Sequence, residues 1–226
     1  MEAFKFLDRH GTAVLTGYAW PLPSGRSPGP WVEAAEARPC EAGVHACTAE
    51  HLAYWLGEDL WVIELDGEII PGRHKVAARR GRIVRRVDAW QAGVAADLCT
   101  DAVSRGRDVT VEVLRHAGYG DAARRLAACA STAETGAVAN DIAAEVGEGS
   151  VAGTAALLAA DVVRFADGGM VSTAAFVAAC AAANSARGAE GSDHAFTAAF
   201  HAERSRQSGW IAARLTGTRR RRRWRR

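Results

Sequence analysis

The sequence predicts an α+β protein: a small mixed N-terminal sheet module followed by an alanine-rich all-α bundle. Three observations carry this. Composition changes near residue 90, since Trp20, Trp31, Trp55, Trp61 and Trp90 and all six prolines lie at or before it and alanine dominates after it. Leu60-Trp61-Val62-Ile63-Glu64-Leu65 is a run of β-formers closed by the turn pair Asp66-Gly67. Beyond residue 90, stretches of helical length are separated by glycines, where helix ends need them. The expected organisation is an α+β module over 1–90, an alanine-rich helical domain over 91–217, and a disordered arginine-rich tail over 218–226.

Within the module, 4–7 and 13–18 are strand candidates. Residues 21–30, Pro-Leu-Pro-Ser-Gly-Arg-Ser-Pro-Gly-Pro, are built of breakers and form a loop. Residues 31–37 re-enter as a strand. Thr48 is an expected N-cap for a short helix over 49–56, which Gly57 closes. Further strand pieces are expected at 68–70 and 75–77, and a strand with basic residues on one side at 82–87. The helical candidates are 91–104, 109–117, 120–130, 136–146, 151–165, 173–186 and 193–215, with Gly106, Gly118, Gly147, Gly168, Gly169 and Gly188 between them. Alanine on facing sides lets helix axes approach closely.

At 226 residues, 49% hydrophobic and 24% charged, the chain is long enough to bury a core without staples. The net charge of +2 conceals an uneven distribution: Arg219 to Arg226 is arginine throughout except Trp224, and the rest is slightly acidic. Such a tail cannot fold alone and would contact polyanions with steep salt dependence. No window reaches the apolar length of a membrane span. The start, Met1-Glu2-Ala3-Phe4-Lys5-Phe6, lacks the pattern of a secretion signal, and five cysteines is an odd number. These features predict a cytoplasmic protein with reduced thiols and no membrane contact.

The segment with the most reactive side chains is Cys40 to Cys47, followed by His51, in the spacing C-x4-H-x-C-x3-H. Thiolate and imidazole suit zinc, which makes Cys40, His45, Cys47 and His51 candidate metal ligands, although the spacing fits no standard zinc module. Cys47 stands just before an expected helix N-terminus, where a thiol pKa can fall, so His45 and Cys47 are also a candidate nucleophile pair. Equally, both cysteines can be small buried hydrophobes. Trp20, Trp31 and Trp55, with Lys75 and Arg82, are candidate ligand contacts; with Trp61, the same indoles can instead fill a small core. His194, His201 and Glu203 on the last helix read as surface or packing residues.

Two resemblances bear on the module. Arg9-His10-Gly11-Thr12 resembles the histidine-glycine-threonine of some ADP-ribosyltransferases, as does the later order of aromatic-bearing helix, strand 60–65 and basic strand ending Asp88-Ala89-Trp90. That likeness implies a group-transfer enzyme using NAD, with His10, His45, Cys47 and Glu64 as site residues. The first 90 residues also resemble an uncharacterised family of small actinobacterial domains. The matching residues are Gly17-Tyr18-Ala19-Trp20-Pro21, Trp31-Val32-Glu33, Cys40, Gly43-Val44-His45-Ala46-Cys47, Leu52 with Tyr54-Trp55-Leu56, the stretch 60–68, Lys75-Val76 and Arg80-Gly81-Arg82. The stretch from Ala202-Glu203-Arg204 to Leu215 is similar to the last helix of some bacterial immunity proteins. Neither of these last two assigns a reaction.

The leading expectation is a non-catalytic binding or interaction protein, of accessory or immunity type, with a protein partner. The alternatives are the group-transfer enzyme and a metal-stabilised module. His10, His45 and Glu64 gathered about one cleft would favour the enzyme.

Overall fold

A computed structural model of the chain describes residues 1–147 and 149–223, with side chains through Thr216 in the last helix. Among these residues an antiparallel sheet region of seven strands precedes a helical region of six α-helices, an α+β protein. The chain divides into two compact units, Met1–Val94 with Gln207–Arg226, and Ala95–Arg206.

The sheet unit holds β1 (Glu2–Leu7), β2 (Val32–Glu33), β3 (Val44–Ala46), β4 (Asp59–Asp66), β5 (Ile70–Pro71), β6 (Val76–Ala78) and β7 (Arg80–Arg86). They form two antiparallel sheets, ordered β1-β4-β7-β2 and β3-β6-β5. One backbone exchange links the sheets: the amides of Phe4 and Cys47 each donate to the other's carbonyl at 2.8 Å. In the register of β1 on β4, Ala3 stands opposite Ile63 and Lys5 opposite Trp61. Alternation along the strands therefore gives one face Ala3, Leu7, Trp61, Ile63 and Leu65. This face packs with Val44, Ala46, Val76, Ala78 and Trp20 into one apolar core. An extra residue in β7, where pairing steps from Val62–Arg85 to Ile63–Ile83, turns Ile83 into that core and leaves Arg82 beside Glu64.

Several local expectations are corrected. Residues 13–18 are not a strand. Thr12 and Ala19 bridge, and between them the chain turns tightly on itself, with Thr16 and Gly17 donating to the Ala13 carbonyl. Gly17, at φ 67°, supplies the left-handed conformation this turn requires. The strand expected at 31–37 shrinks to β2. The helix expected at 49–56 is a 3₁₀ helix, Ala49–Trp55, and the Thr48 side chain caps no backbone amide; its hydroxyl lies 3.1 Å from Nδ1 of His51.

The helical unit comprises α1 (Ala95–His116), α2 (Gly120–Ala127), α3 (Thr132–Val146), α4 (Val151–Asp167), α5 (Val171–Glu190) and the part of α6 (Asp193–Arg223) up to Arg206. Ser131 and Ser150 cap α3 and α4 by accepting from the amides of Glu134 and Gly153. Gly106 ends no helix. The two helices expected on either side of it are one, α1, and the space over its Cα is taken by Val162 and Ala159 of α4. Gly188 likewise lies inside α5, which ends instead at Gly191. The core is made largely of alanines, including Ala139, Ala143, Ala155, Ala156 and Ala159. Glu203, its side chain 2% exposed, is held by Arg105 and Arg206, and Arg206 also reaches Asp101. The expected tail, 218–226, with its arginines Arg219 to Arg226, lies outside the described side chains. Among the described residues no helix is long and apolar enough to cross a membrane.

Candidate ligand-binding cavity

The path of the chain after β3 opens a cavity in the sheet unit. The amide and carbonyl of Phe4 point away from β4 and pair with Cys47. Those of Phe6, two residues on, point the same way. By then the neighbouring chain has turned off into the 3₁₀ helix, so among the described residues no strand pairs with this outer edge of β1. The space left is about 730 Å³, within the range of small-molecule sites. Its floor is Phe4, Lys5 and Phe6 of β1 with β3. Tyr54 and Trp55 form one wall, Tyr18 and Trp20 another. The turn between Thr12 and Ala19 carries Val14 and Leu15 at the rim, 71% and 82% exposed.

Two ammonium groups enter this mostly apolar space. Lys5 Nζ donates to the carbonyl oxygen of His45 at 2.8 Å and lies 4.8 Å from the Trp20 ring centre. Lys75 Nζ lies 5.1 Å from the Trp55 ring centre. The indole N–H of Trp55 donates to the His74 carbonyl, which fixes that wall. Among the described residues neither lysine has a carboxylate within ion-pairing distance. Burial brings the Lys5 pKa down to about 8, partly offset by Cys47 and reinforced by the charge of Lys75. The indole N–H of Trp20, also buried here, has no hydrogen-bond partner among the described residues.

His45 and Cys47 line the same cavity, with Cys40 at its edge. Nε2 of His45 lies 3.2 Å from the Arg38 carbonyl and so carries the proton of the neutral ring. Burial lowers the His45 pKa against that hydrogen bond, and the charges of Lys75 and Lys5 lower it further. Cys47 is buried, and its thiol is pushed up to about 12, mainly by loss of water. It is therefore a neutral thiol at physiological pH, the opposite of an activated nucleophile. Cys40 is exposed, with the backbone at φ 72°.

The remaining sequence candidates lie elsewhere. His10 sits in a turn, its amide donating to Asp8 Oδ1. Glu64 is bound by Arg82 at 2.7 Å. By strand alternation it is on the opposite face of β4 from Trp61, the partner of Lys5. Trp31 is flanked by the guanidinium groups of Arg80 and Arg82, each 4.4 Å from its ring centre. His51 packs edge-on to Tyr54 and His74. Thus the cavity gathers His45, Cys47, Cys40, Trp20, Trp55 and Lys75, but not His10, Glu64, Trp31, Arg82 or His51. Among the described residues no three His, Cys, Asp or Glu side chains are grouped to hold a metal ion.

Sequence reasoning missed Lys5, although a signal was present. Of the 28 lysines and arginines in the chain, only Lys5 and Lys75 are lysines, and both face this one cavity. Compared with known protein families, curated proteins and solved structures, the chain matches none.

Proposed function

We propose that the sheet unit binds a small amphipathic molecule, with an apolar, preferably planar body between the aromatic walls and an anionic group between Lys5 and Lys75. The observation that carries this reading is the convergence of two ammonium groups, neither of them ion-paired to a carboxylate among the described residues, in a mostly apolar cavity. Holding the buried Lys5 ammonium near a second positive charge costs free energy, and an anion there would offset it. The neutral His45 ring and the free indole N–H of Trp20 add polar contacts. Residues carrying the resemblance to the actinobacterial domains, among them Trp20, His45, Cys47, Trp55 and Lys75, are cavity residues, which supports a shared binding role. The reading is of a binding protein, as the sequence suggested, working in the cytoplasm with its five thiols free.

A matched pair of fluorescent probes tests it. Anilinonaphthalene sulfonate carries the anion, and N-phenyl-1-naphthylamine lacks it. The native chain is expected to bind the sulfonate at least about tenfold more tightly, a difference of roughly 1.4 kcal/mol. Lys5→Met and Lys75→Met should each reduce that preference while leaving the near-UV spectrum of the fold intact. Equal affinity for both probes in the native chain would overturn the reading.

A further inference from the structure

We propose that Lys5 is a carbonyl-reactive amine, and that the ligand is an anionic aldehyde or ketone held on Lys5 as an imine while Lys75 takes its charge. This rests on the reading of the cavity as an anion-binding site and names the class of ligand.

This chain uses arginine almost everywhere a cation is needed, and the two exceptions share one cavity. For anchoring a carboxylate or phosphate, guanidinium is the stronger group, because its fork binds two oxygens at once. What lysine offers in its place is a nitrogen that can lose its proton and attack carbon. The surroundings of Lys5 favour that form. Its stem lies in β1 against the apolar core, Trp20 covers the amine, and the one hydrogen bond to the His45 carbonyl is a bond a neutral amine also makes. Lys75 adds a second positive charge nearby, which again favours the neutral state. The other titratable groups lining the cavity are His45 and Cys47 from β3 and its continuation, Cys40, Glu33 of β2, Glu41, Tyr18 and Tyr54. Among them His45 and Cys47 are neutral for the reasons given above. A lysine titrating near 8 has about a tenth of its amine free at pH 7, against fewer than one in a thousand for an ordinary lysine.

The step is balanced without any further reactant. The Nζ lone pair forms a bond to the carbonyl carbon, and the carbon–oxygen bond breaks. The oxygen leaves as water with the two protons of the neutral amine, giving a neutral imine, which then takes up one proton from solvent. The reverse reaction with water releases the ligand. Nothing is oxidised or reduced.

The test uses the full chain with 4-formylbenzoate and cyanoborohydride, which fixes any imine as a secondary amine. Peptide mass spectrometry then reads three primary amines, Lys5, Lys75 and the N-terminus. Lys5 is expected to be modified at least about tenfold faster than the other two. 4-Methylbenzoate, which cannot form an imine, should protect it. Lys5→Arg should still bind 4-methylbenzoate but acquire no adduct at position 5, and Lys75→Met should react no faster with 4-formylbenzoate than with uncharged benzaldehyde. Modification of Lys5 no faster than the N-terminus, with 4-methylbenzoate still bound, would overturn the imine and leave the anion site standing. Absence of both modification and 4-methylbenzoate binding would overturn both.

Discussion

Lys5 and His45, forty positions apart in sequence, are joined by a 2.8 Å hydrogen bond from the lysine amine to the histidine main-chain carbonyl. The bond ties β1 to β3 at the point where the two strands part. It holds a cation in a place where water has largely been removed, and the energetic consequence can be measured.

Below about pH 8, both folded and unfolded chains carry a proton on Lys5, and the folded chain bears the full cost of its burial. Between about 8 and 10.5, the folded chain has lost the proton and the unfolded chain still holds it, so stability rises with pH across that window. Lys5→Met should therefore stabilise the sheet unit near pH 7 by on the order of 1–2 kcal/mol, and the gain should vanish above about pH 10.5. Urea denaturation at the two pH values checks this; a variant less stable at pH 7 would contradict it.

The cysteines should differ sharply in reactivity. Cys40 is exposed, whereas Cys47 is buried and its thiol is pushed up to about 12. Iodoacetamide at neutral pH should modify Cys40 at least about a hundredfold faster than Cys47, since attack requires an accessible thiolate. Mass spectrometry over a time course gives both rates. Rapid loss of the Cys47 thiol from the folded chain would revive the nucleophile reading.

Two helical glycines predict opposite signs. At Gly106 an added methyl would meet Val162 at 3.5 Å, an ordinary contact, so Gly106→Ala should stabilise by about 0.5–1 kcal/mol through helix propensity. At Gly136 the same methyl would come within 2.8 Å of Val163 Cγ1, and a β-branched side chain has little freedom to yield. Gly136→Ala should destabilise by about 1–3 kcal/mol despite the better propensity. Thermal denaturation of the two variants tests the pair.

Much of this architecture was legible. The run 60–65 became β4 because its residues suit a strand buried on both faces, and the alanine-rich stretches became helices that pack closely. The failures have physical causes. Residues 13–18 include the β-formers Val14, Thr16 and Tyr18, but the tight turn at Gly17 and the exposed positions of Val14 and Leu15 belong to a loop at a cavity rim. Gly106 looked like a helix end because a glycine between apolar stretches reads the same whether it stops a helix or admits a neighbour. Attention to Cys40–Cys47 led to the cavity, since all of Cys40, His45 and Cys47 line it, but not to Lys5. The group with the unusual environment is a lysine on a neighbouring strand, and sequence spacing carries no trace of a contact across forty residues. Only the scarcity of lysine elsewhere pointed to it.

The sheet unit takes in residues from Gln207 onward, where Ser208 Oγ accepts a hydrogen bond from the amide of Ala53 and Ile211 is fully buried. On the ribosome, this imposes an order. The residues of the helical unit have all been made by Arg206, while the sheet unit still lacks the part that follows from Gln207. Every residue that lines the cavity lies between Phe4 and Lys75, so a chain released at Arg206 would carry the whole lining yet lack the segment that bonds the 3₁₀ helix at Ala53.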